Sequence, residues 1–241
     1  EKPKPEMPVA PDGMVVETPE DMLVVSSSPH ARTPWTHARI MWTVCGALLP
    51  ALVAAIVIFG FRALMITAVA MAACVIVEGL WNLALRKKQT CFDGSAALTG
   101  MLLAMTVGVQ VTPFAVVTAS IVAIVAAKQF FGGLGFNIWN PALIGRAFMQ
   151  VAFPQMVNGR FPDPNGAADA VSAATPLMVA KDVALQTPDS VSGLGRLFLG
   201  SHASSMGEAS ILALLIGGAV LLAFRLIDWR VPVFFIGTAV L

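Results

Sequence analysis

Two long apolar runs, residues 40–59 and 63–85, constrain the fold of this chain more than any other feature of its sequence. Each run is about as long as the ~20 residues that an α-helix needs to cross the hydrocarbon core of a bilayer. The composition agrees, because 57% of the 241 residues are hydrophobic and only 12% are charged, whereas about a quarter of a typical soluble domain is charged. The sequence therefore predicts an all-α polytopic membrane protein.

The distribution of polar and apolar residues divides the chain into four parts. Residues 1–39 are rich in proline and charge and are expected to form a cytoplasmic tail, and residues 40–153 should hold transmembrane helices 1–5. Residues 154–208 contain no spanning run and are expected to form a loop, whereas residues 209–241 should hold a further span and the start of the next. Because the last run, 231–241, is too short to cross a bilayer, we expect further C-terminal spans.

The basic residues predict an orientation. If the spans alternate in direction, the main basic clusters fall on one side, which the positive-inside rule assigns to the cytoplasm. The N-terminus is then cytoplasmic, the 154–208 loop faces the periplasm or exterior, and the expected location is the bacterial inner membrane. The clusters are Arg32 with Arg39, then Arg86, Lys87 and Lys88 with nearby Lys128, and finally Arg225 with Arg230.

Two short, glycine-interrupted apolar segments, 94–109 and 141–153, are typical of broken half-helices. Such helices occur where irregular backbone is buried in protein or lines a cavity. Asp93 and Asn140 precede them as capping residues, and Pro141 suits a first helical turn. One interpretation is a site for a small molecule or ion where the two segments meet, and the other is a pair of purely structural short helices.

Glu78 is an acidic residue deep inside the second apolar run. A carboxylate at the centre of a span costs about 2.5–3.5 kcal/mol on the gentler scales, so such residues usually face the protein interior and often serve an ion or proton path. Glu78 is therefore a candidate for an ion path. The alternative is a protonated or hydrogen-bonded glutamate near the cytoplasmic interface.

Motifs for hydrolytic, nucleotide-binding or metal chemistry are missing from the sequence. It contains no HExxH, GxSxG, Walker or CxxC pattern, and the glycines at 132–135 lack the GxGxxG spacing of a dinucleotide fold. The three histidines are not spaced as metal ligands, and the three cysteines are interpreted as buried apolar residues. We therefore expect no catalytic side chain, no metal site and, with a net charge of +1, no binding to nucleic acid.

The most informative stretch lies in the predicted exterior loop, at residues 169–177. It presents two hydroxyl groups, Ser172 and Thr175, among small side chains that would let a bulky group approach the Thr175 oxygen. From the residues alone this is an ordinary polar surface loop.

Several motifs of this sequence occur together, and in the same order, in a known family. They are residues 27–30, residues 40–42 with 47–51, residues 93–95 with 98–100, residues 128–137 with 139–142, residues 172–177, and residues 207–208 ahead of a span. From residue 26 to residue 241 the chain resembles the family that comprises the D subunit of the Rnf ion-translocating electron-transport complex and the B subunit of the sodium-pumping NADH:quinone reductase. The resemblance to the Rnf member is the stronger of the two.

This resemblance implies a covalent flavin on the exterior loop. The family carries FMN joined through its phosphate to a threonine hydroxyl by a phosphoester bond, and the matching threonine here is Thr175. Asp169, Ser172 and Ala174 match the surrounding motif, which a flavin transferase reads, so that enzyme is an expected partner in maturation. Ala173 stands where the family's motif has glycine.

The resemblance also implies an architecture and a role. The expected architecture is a bundle of two inverted five-helix repeats in a lipid bilayer, assembled with other Rnf-type subunits. The expected role is a relay of electrons, coupled to Na⁺ or H⁺ transport between ferredoxin and NAD, in a translocase that the chain does not complete alone. A second, noncovalent flavin such as riboflavin is a further candidate cofactor. The candidate residues for enclosing the flavin are Gly132, Gly133, Asn137, Asn140 and Arg146.

Three alternatives remain open from the sequence. Within the same family, the chain could be the B subunit of the quinone reductase, although its 39-residue tail favours the Rnf side. Broken helices also suit a urea- or ammonium-type channel without flavin. A scaffold that anchors soluble redox subunits is the third alternative.

Overall fold

The computed structural model describes residues 36–87, 89–157 and 204–240. Within these ranges the regular structure is entirely helical, which confirms the predicted all-α class of membrane protein. The helices are α1 (His37–Phe59), α2 (Phe61–Ala84), α3 (Ser95–Met105), α4 (Pro113–Ile124) with a π-helical turn (Val125–Gln129), α5 (Pro141–Ala152), α6 (Pro154–Val157), α7 (Ile211–Ala223) and α8 (Arg230–Val240), with a 3₁₀ turn at Cys91–Asp93.

Helices α1 and α2 are the long apolar helices that the sequence predicts. They contain 23 and 24 residues, and both are long and apolar enough to cross a membrane. Helix α1 begins earlier than the apolar run because Thr36 caps it, accepting a hydrogen bond from the backbone N–H of Arg39 at 3.3 Å. Gly60, at φ +77°, separates the two helices, and glycine adopts this conformation without the penalty that a side chain would add.

Helices α3 and α5 are short, with 11 and 12 residues. At ~1.5 Å per residue each is about 16–18 Å long, roughly half of a ~30 Å hydrocarbon core. Helix α5 begins at the predicted cap Asn140, whereas the N-cap position of α3 is occupied by Gly94, one residue after the predicted Asp93. Asp93 Oδ1 accepts from the Ser95 backbone N–H at 3.1 Å, and Asn140 Oδ1 accepts from the Ala142 N–H at 3.0 Å.

Small residues let the helices approach one another closely, as is usual in membrane bundles. Helix α2 packs against α3 and α4, α1 packs against α7, and α4 packs against α5. A Cβ atom added to Gly100 of α3 would lie 2.6 Å from the Ala70 carbonyl oxygen of α2, and one added to Gly145 of α5 would lie 3.0 Å from the Ala119 carbonyl oxygen of α4. The bundle therefore tolerates no side chain at these crossings.

The helices alternate in direction, which gives the bundle two distinct ends. At one end the first turns of α1 meet the α2–α3 connection, where Trp42 Nε1 donates to the Phe92 carbonyl oxygen at 3.4 Å. At the other end Arg62 Nε donates to the Val109 carbonyl oxygen at 3.0 Å. We call the first the basic end, because it holds the exposed basic residues Arg39, Arg86, Lys87, Arg225 and Arg230, and the second the opposite end.

Lys128 is a correction to the predicted basic clusters. From the sequence it is grouped with the exposed cytoplasmic cations, but its side chain is only 1% exposed and forms an ion pair with Glu78. A paired, buried ammonium does not report orientation as an exposed one does. The other described members of the predicted clusters, Arg39, Arg86, Lys87, Arg225 and Arg230, are at one end. The assignment of that end to the cytoplasm stays a prediction.

Candidate functional site

Glu78 lies at the centre of a buried polar cluster near the basic end. Its side chain is 1% exposed, and Lys128 Nζ lies 2.9 Å from both carboxylate oxygens. Gln129 Nε2 and Thr90 Oγ1 each donate to Oε1 at 3.0 Å. Four hydrogen bonds from three side chains therefore compensate the buried carboxylate.

The cluster continues through hydroxyl groups to a second carboxylate. Lys128 Nζ donates its third hydrogen bond to Ser95 Oγ at 2.7 Å, and Ser95 Oγ donates to Asp93 Oδ1 at 2.8 Å. On the other side of Glu78, Asn82 Nδ2 donates to Thr90 Oγ1 at 3.0 Å. Two carboxylates and one ammonium thus share one network that joins α2, the start of α3 and the π-helical turn.

This geometry describes how Glu78 is accommodated in an apolar helix. A buried ion pair is tolerated when its partners satisfy each other's hydrogen bonds, and here all three Lys128 donors have acceptors. This environment matches the alternative given from the sequence, in which Glu78 is a hydrogen-bonded glutamate and not a point on an ion path. A cation that bound Glu78 would compete with the Lys128 ammonium for the carboxylate, and the ion path stays a prediction.

The π-helical turn positions both donors, and it was not predicted from the sequence. The Phe130 N–H bonds the Val125 carbonyl oxygen five residues earlier, at 3.0 Å. This wider turn brings the side chains of the consecutive residues Lys128 and Gln129 to one carboxylate. Single π-helical turns occur often at functional sites. One feature of the sequence could have indicated this cluster, namely the opposite charges of Glu78 and Lys128 in or beside apolar runs. Opposite charges in such positions usually pair.

A glycine loop follows the π-helical turn at the basic end. Gly132, Gly133 and Gly135 have φ angles of +111°, +98° and +93°, which side chains rarely adopt. The Trp81 and Phe130 rings, 5.6 Å apart, join the start of this loop to the end of α2.

The structure brings part of the predicted flavin-enclosing set into this loop. Gly132, Gly133 and Asn137 lie in the loop, Asn140 caps α5, and Arg146 lies between one and two turns along α5. The Asn137 Oδ1 atom is buried and has no hydrogen-bond partner among the described residues. Arg146 is half-buried and has no ion pair within the described ranges.

These features fit a polar aromatic ligand. A buried oxygen without a donor carries a desolvation cost, and a ring N–H such as that of an isoalloxazine would supply the missing hydrogen bond to Asn137. Nothing lies within 4 Å of a Cβ built on Gly135, and the nearest atoms to one on Gly132 are 3.6 Å away, on the Phe136 ring. The loop therefore leaves space beside its backbone.

The remaining predicted residues, Thr175, Asp169, Ser172 and Ala174, lie outside the described residues. The chain on both sides of their segment is described. Thr112 Oγ1 donates to Met156 Sδ at 3.5 Å, and the Met206 N–H donates to the Val107 carbonyl oxygen at 3.1 Å. Both flanks therefore contact the α3–α4 connection at the opposite end.

The glycine loop and these flanks are at different ends of α4. Helix α4 and its π-helical turn run from Pro113 to Gln129, about 25 Å at ~1.5 Å per residue. The segment that carries Thr175 leaves and rejoins the bundle beside Pro113, whereas the loop follows Gln129.

Comparison with known proteins identifies the family. The family model described as "NQR2, RnfD, RnfE family" matches residues 24–241. The chain is 38% identical over 224 residues to the D subunit of the proton-translocating ferredoxin:NAD(+) oxidoreductase complex of Clostridium ljungdahlii, and this covers 91% of the chain and 68% of the relative.

Two further relatives agree. The chain is 40% identical to the D subunit of the Na(+)-translocating ferredoxin:NAD(+) oxidoreductase complex of Acetobacterium woodii, over 90% of the chain and 67% of the relative. It is 35% identical to the D subunit of the ion-translocating oxidoreductase complex of Stutzerimonas stutzeri, over 80% of the chain and 62% of the relative. The chain thus spans about two thirds of the length of these relatives. The family match over nearly the whole chain, together with these identities, shows that the chain belongs to the NQR2, RnfD, RnfE family.

Proposed function

We propose that this chain is a membrane subunit of an ion-translocating ferredoxin:NAD oxidoreductase complex, and that it relays electrons through an FMN bound covalently to Thr175. The observation that carries the proposal is the identity of 38–40%, over about nine tenths of the chain, to D subunits named for proton- and sodium-translocating complexes. In this role the chain acts with the other subunits of an Rnf-type complex in the bilayer.

The FMN would supply one- and two-electron redox chemistry at the exterior loop, and the protein would hold it and tune its electronics. Thr175 contributes the hydroxyl oxygen of the phosphoester bond. Asp169, Ser172 and Ala174 form the surrounding motif for the flavin transferase. That enzyme would cleave the pyrophosphate bond of FAD, join the FMN phosphorus to the Thr175 oxygen and release AMP, which leaves with the hydroxyl proton. This assignment rests on the family's motif and on the match of residues 24–241.

The glycine loop supports a second, noncovalent flavin such as riboflavin. The loop lies at the basic end, whereas both flanks of the Thr175 segment lie at the opposite end. Asn137 would accept a ring N–H through its buried oxygen, and the half-buried Arg146 would favour negative charge on a bound flavin. Gly132 and Gly133 would let the ligand approach the backbone, and Asn140 would fix the start of α5.

Glu78 is the proposed point on the ion path. It is a buried carboxylate in a membrane helix with Lys128 as its counter-ion. Arrival of Na⁺ or H⁺ at Glu78 would weaken its pair with Lys128, so ion movement and rearrangement of the cluster would be linked. The relatives include both a proton- and a sodium-translocating complex, so either ion fits the family.

The first experiment tests the covalent flavin. The chain would be expressed with a flavin transferase, denatured on a gel and scored for flavin fluorescence, and the peptide with residues 161–196 would be weighed. We expect a fluorescent band and an added mass of one FMN less one water, both lost in Thr175→Val. Thr187→Val is the matched control, since Thr187 also precedes a proline in the same segment, and it should retain the flavin.

Three outcomes would contradict parts of the proposal. A dark band of unmodified mass, with the transferase active on another substrate, would exclude a covalent flavin relay and make flux assays for a channel the next step. If the flavin were retained in Thr175→Val but lost in Thr187→Val, the attachment site would be Thr187 and not Thr175. Electron transfer to a quinone instead of NAD by the flavinylated complex would favour the B subunit of the quinone reductase.

A further inference from the structure

Two of the three residues that donate to Glu78 also bind the glycine loop. The side chains of Lys128 and Gln129 donate to the Glu78 carboxylate at 2.9 Å and 3.0 Å. Their backbone carbonyl oxygens accept hydrogen bonds from the loop, from the Gly133 N–H at 3.0 Å and from the Gly132 N–H at 3.1 Å, respectively. One dipeptide therefore joins the buried carboxylate of α2 to the first turn of the loop.

The π-helical turn is what makes this double attachment geometrically possible. In an α-helix with 3.6 residues per turn, consecutive side chains point about 100° apart. Here the Phe130 N–H reaches back five residues to Val125 instead of four. This wider turn lets Lys128 and Gln129 share one acceptor, because it contains one residue more than an α-helical turn.

Loss of the π-helical turn would move the loop. If residues 125–129 adopted α-helical hydrogen bonding, every later residue would shift by one position, which is a rotation of about 100° and a rise of about 1.5 Å. The loop that begins at Gly132 would then leave the helix in a different direction. The contacts of Lys128 and Gln129 with Glu78 are made in the π-helical register, so they stabilise it relative to the α-helical one.

We propose that Lys128 and Gln129 are positioning residues, through which Glu78 sets the π-helical register and thereby the conformation of the loop 132–137. A change in how Lys128 and Gln129 bind the Glu78 carboxylate then changes the conformation of the loop without any movement of α2. The coupling between Glu78 and the loop does not depend on the function proposed above. Only the use of this coupling to tune a bound flavin rests on that function.

Hydrogen exchange measured by mass spectrometry on the full chain tests this link, with or without flavin. The key variant is Glu78→Gln/Lys128→Met, which removes both charges and leaves neither orphaned. We expect amides of the 130–140 peptide to exchange at least about tenfold faster, because the variant removes all three hydrogen bonds of the Lys128 ammonium and even one hydrogen bond to a charged group contributes about this much. Peptides from α7 (Ile211–Ala223) should exchange at the parent rate.

Gln129→Met supplies a second, independent variant, because it keeps the ion pair and removes one hydrogen bond to Glu78. We expect a smaller acceleration confined to the same loop peptide. Ser120→Ala is the matched control, since Ser120 is buried on α4 and its hydroxyl donates to the Val116 carbonyl oxygen of the same helix. This control should leave loop exchange unchanged.

Either of two results would overturn the proposal. Parent-like exchange of the loop in the double variant would mean that the pair only neutralises buried charge. Equal acceleration in the loop and in α7 would mean a general loss of stability. If the loop responds as expected but Thr175 carries no flavin, the link stands and the proposed function fails. Where a noncovalent flavin is bound, its absorption spectrum should shift in the double variant and not in Ser120→Ala.

Discussion

A Cβ atom built on Gly217 of α7 would overlap the backbone carbonyl oxygen of Ala47 on α1. The two helices therefore meet without a side chain between them. Close approach of this kind lets backbone atoms form dispersion contacts along the crossing. It also joins α7, which follows the 158–203 segment in the chain, to the first helix of the bundle.

Gly217→Val should separate α1 from α7. The added side chain cannot be accommodated beside the Ala47 carbonyl, so we expect a loss of stability of about 1–3 kcal/mol, as for overpacked cores. Gly218→Val is the matched control, because a Cβ on the adjacent Gly218 meets nothing within 4 Å. Thermal unfolding in detergent, followed by α1–α7 disulfide cross-linking, would measure the effect, and equal losses in the two variants would contradict it.

Gly94→Ala should destabilise the start of α3 for two separable reasons. Gly94 has φ +79°, and a Cβ there would lie 3.0 Å from the Trp42 ring. The left-handed conformation alone costs an alanine about 1–2 kcal/mol, and the ring contact should add to this.

A double-mutant cycle separates the two costs. In a Trp42→Ala background, Gly94→Ala should lose only the conformational term, so its effect on the unfolding free energy should be smaller than in the parent. An effect of the same size in both backgrounds would show that Trp42 does not restrict this position.

Asn137 and Asn140 should have different roles although only three positions separate them. Asn140→Ala removes the cap of α5, where Oδ1 accepts from the Ala142 N–H, and should cost about 1 kcal/mol. Asn140→Ser should restore most of the stability, because serine is also a good capping residue.

Asn137→Leu should instead reduce noncovalent flavin without lowering the melting temperature, because the Asn137 oxygen has no partner to lose among the described residues. Flavin released on denaturation, measured together with thermal unfolding, distinguishes the two positions. Unchanged flavin content in Asn137→Leu, or a fall in melting temperature as large as that of Asn140→Ala, would contradict this division of roles.

Local sequence patterns predict the helices and their starts well. Apolar runs predicted α1 and α2 to within a few residues, since the length of a span is set by the thickness of the bilayer. Asn140 is correctly predicted as the cap of α5, because a short side-chain oxygen ahead of an apolar run can accept from the first free N–H groups. Asp93 is predicted as the cap of α3, but Gly94 occupies that position and Asp93 accepts from the Ser95 N–H from one residue earlier.

The buried cluster could not be predicted in the same way. Lys128 follows an apolar run and has the pattern of an interfacial cation, but its partner Glu78 is fifty residues earlier and on another helix. The π-helical turn was not predicted either, because no local pattern in residues 113–129 distinguishes it from ordinary α-helix. Contacts of this type become visible only when the tertiary packing of α2 against α4 is known.

The shared anchoring of Met156 and Met206 at the α3–α4 connection has a consequence for protein engineering. Because the chain leaves and rejoins the bundle at one place, residues 158–203 can be replaced with the corresponding segment of a relative while both junctions, at Met156 and Met206, are kept. Chimeras of this kind would allow this segment to be varied on a constant membrane scaffold, or the scaffold to be varied with a constant segment.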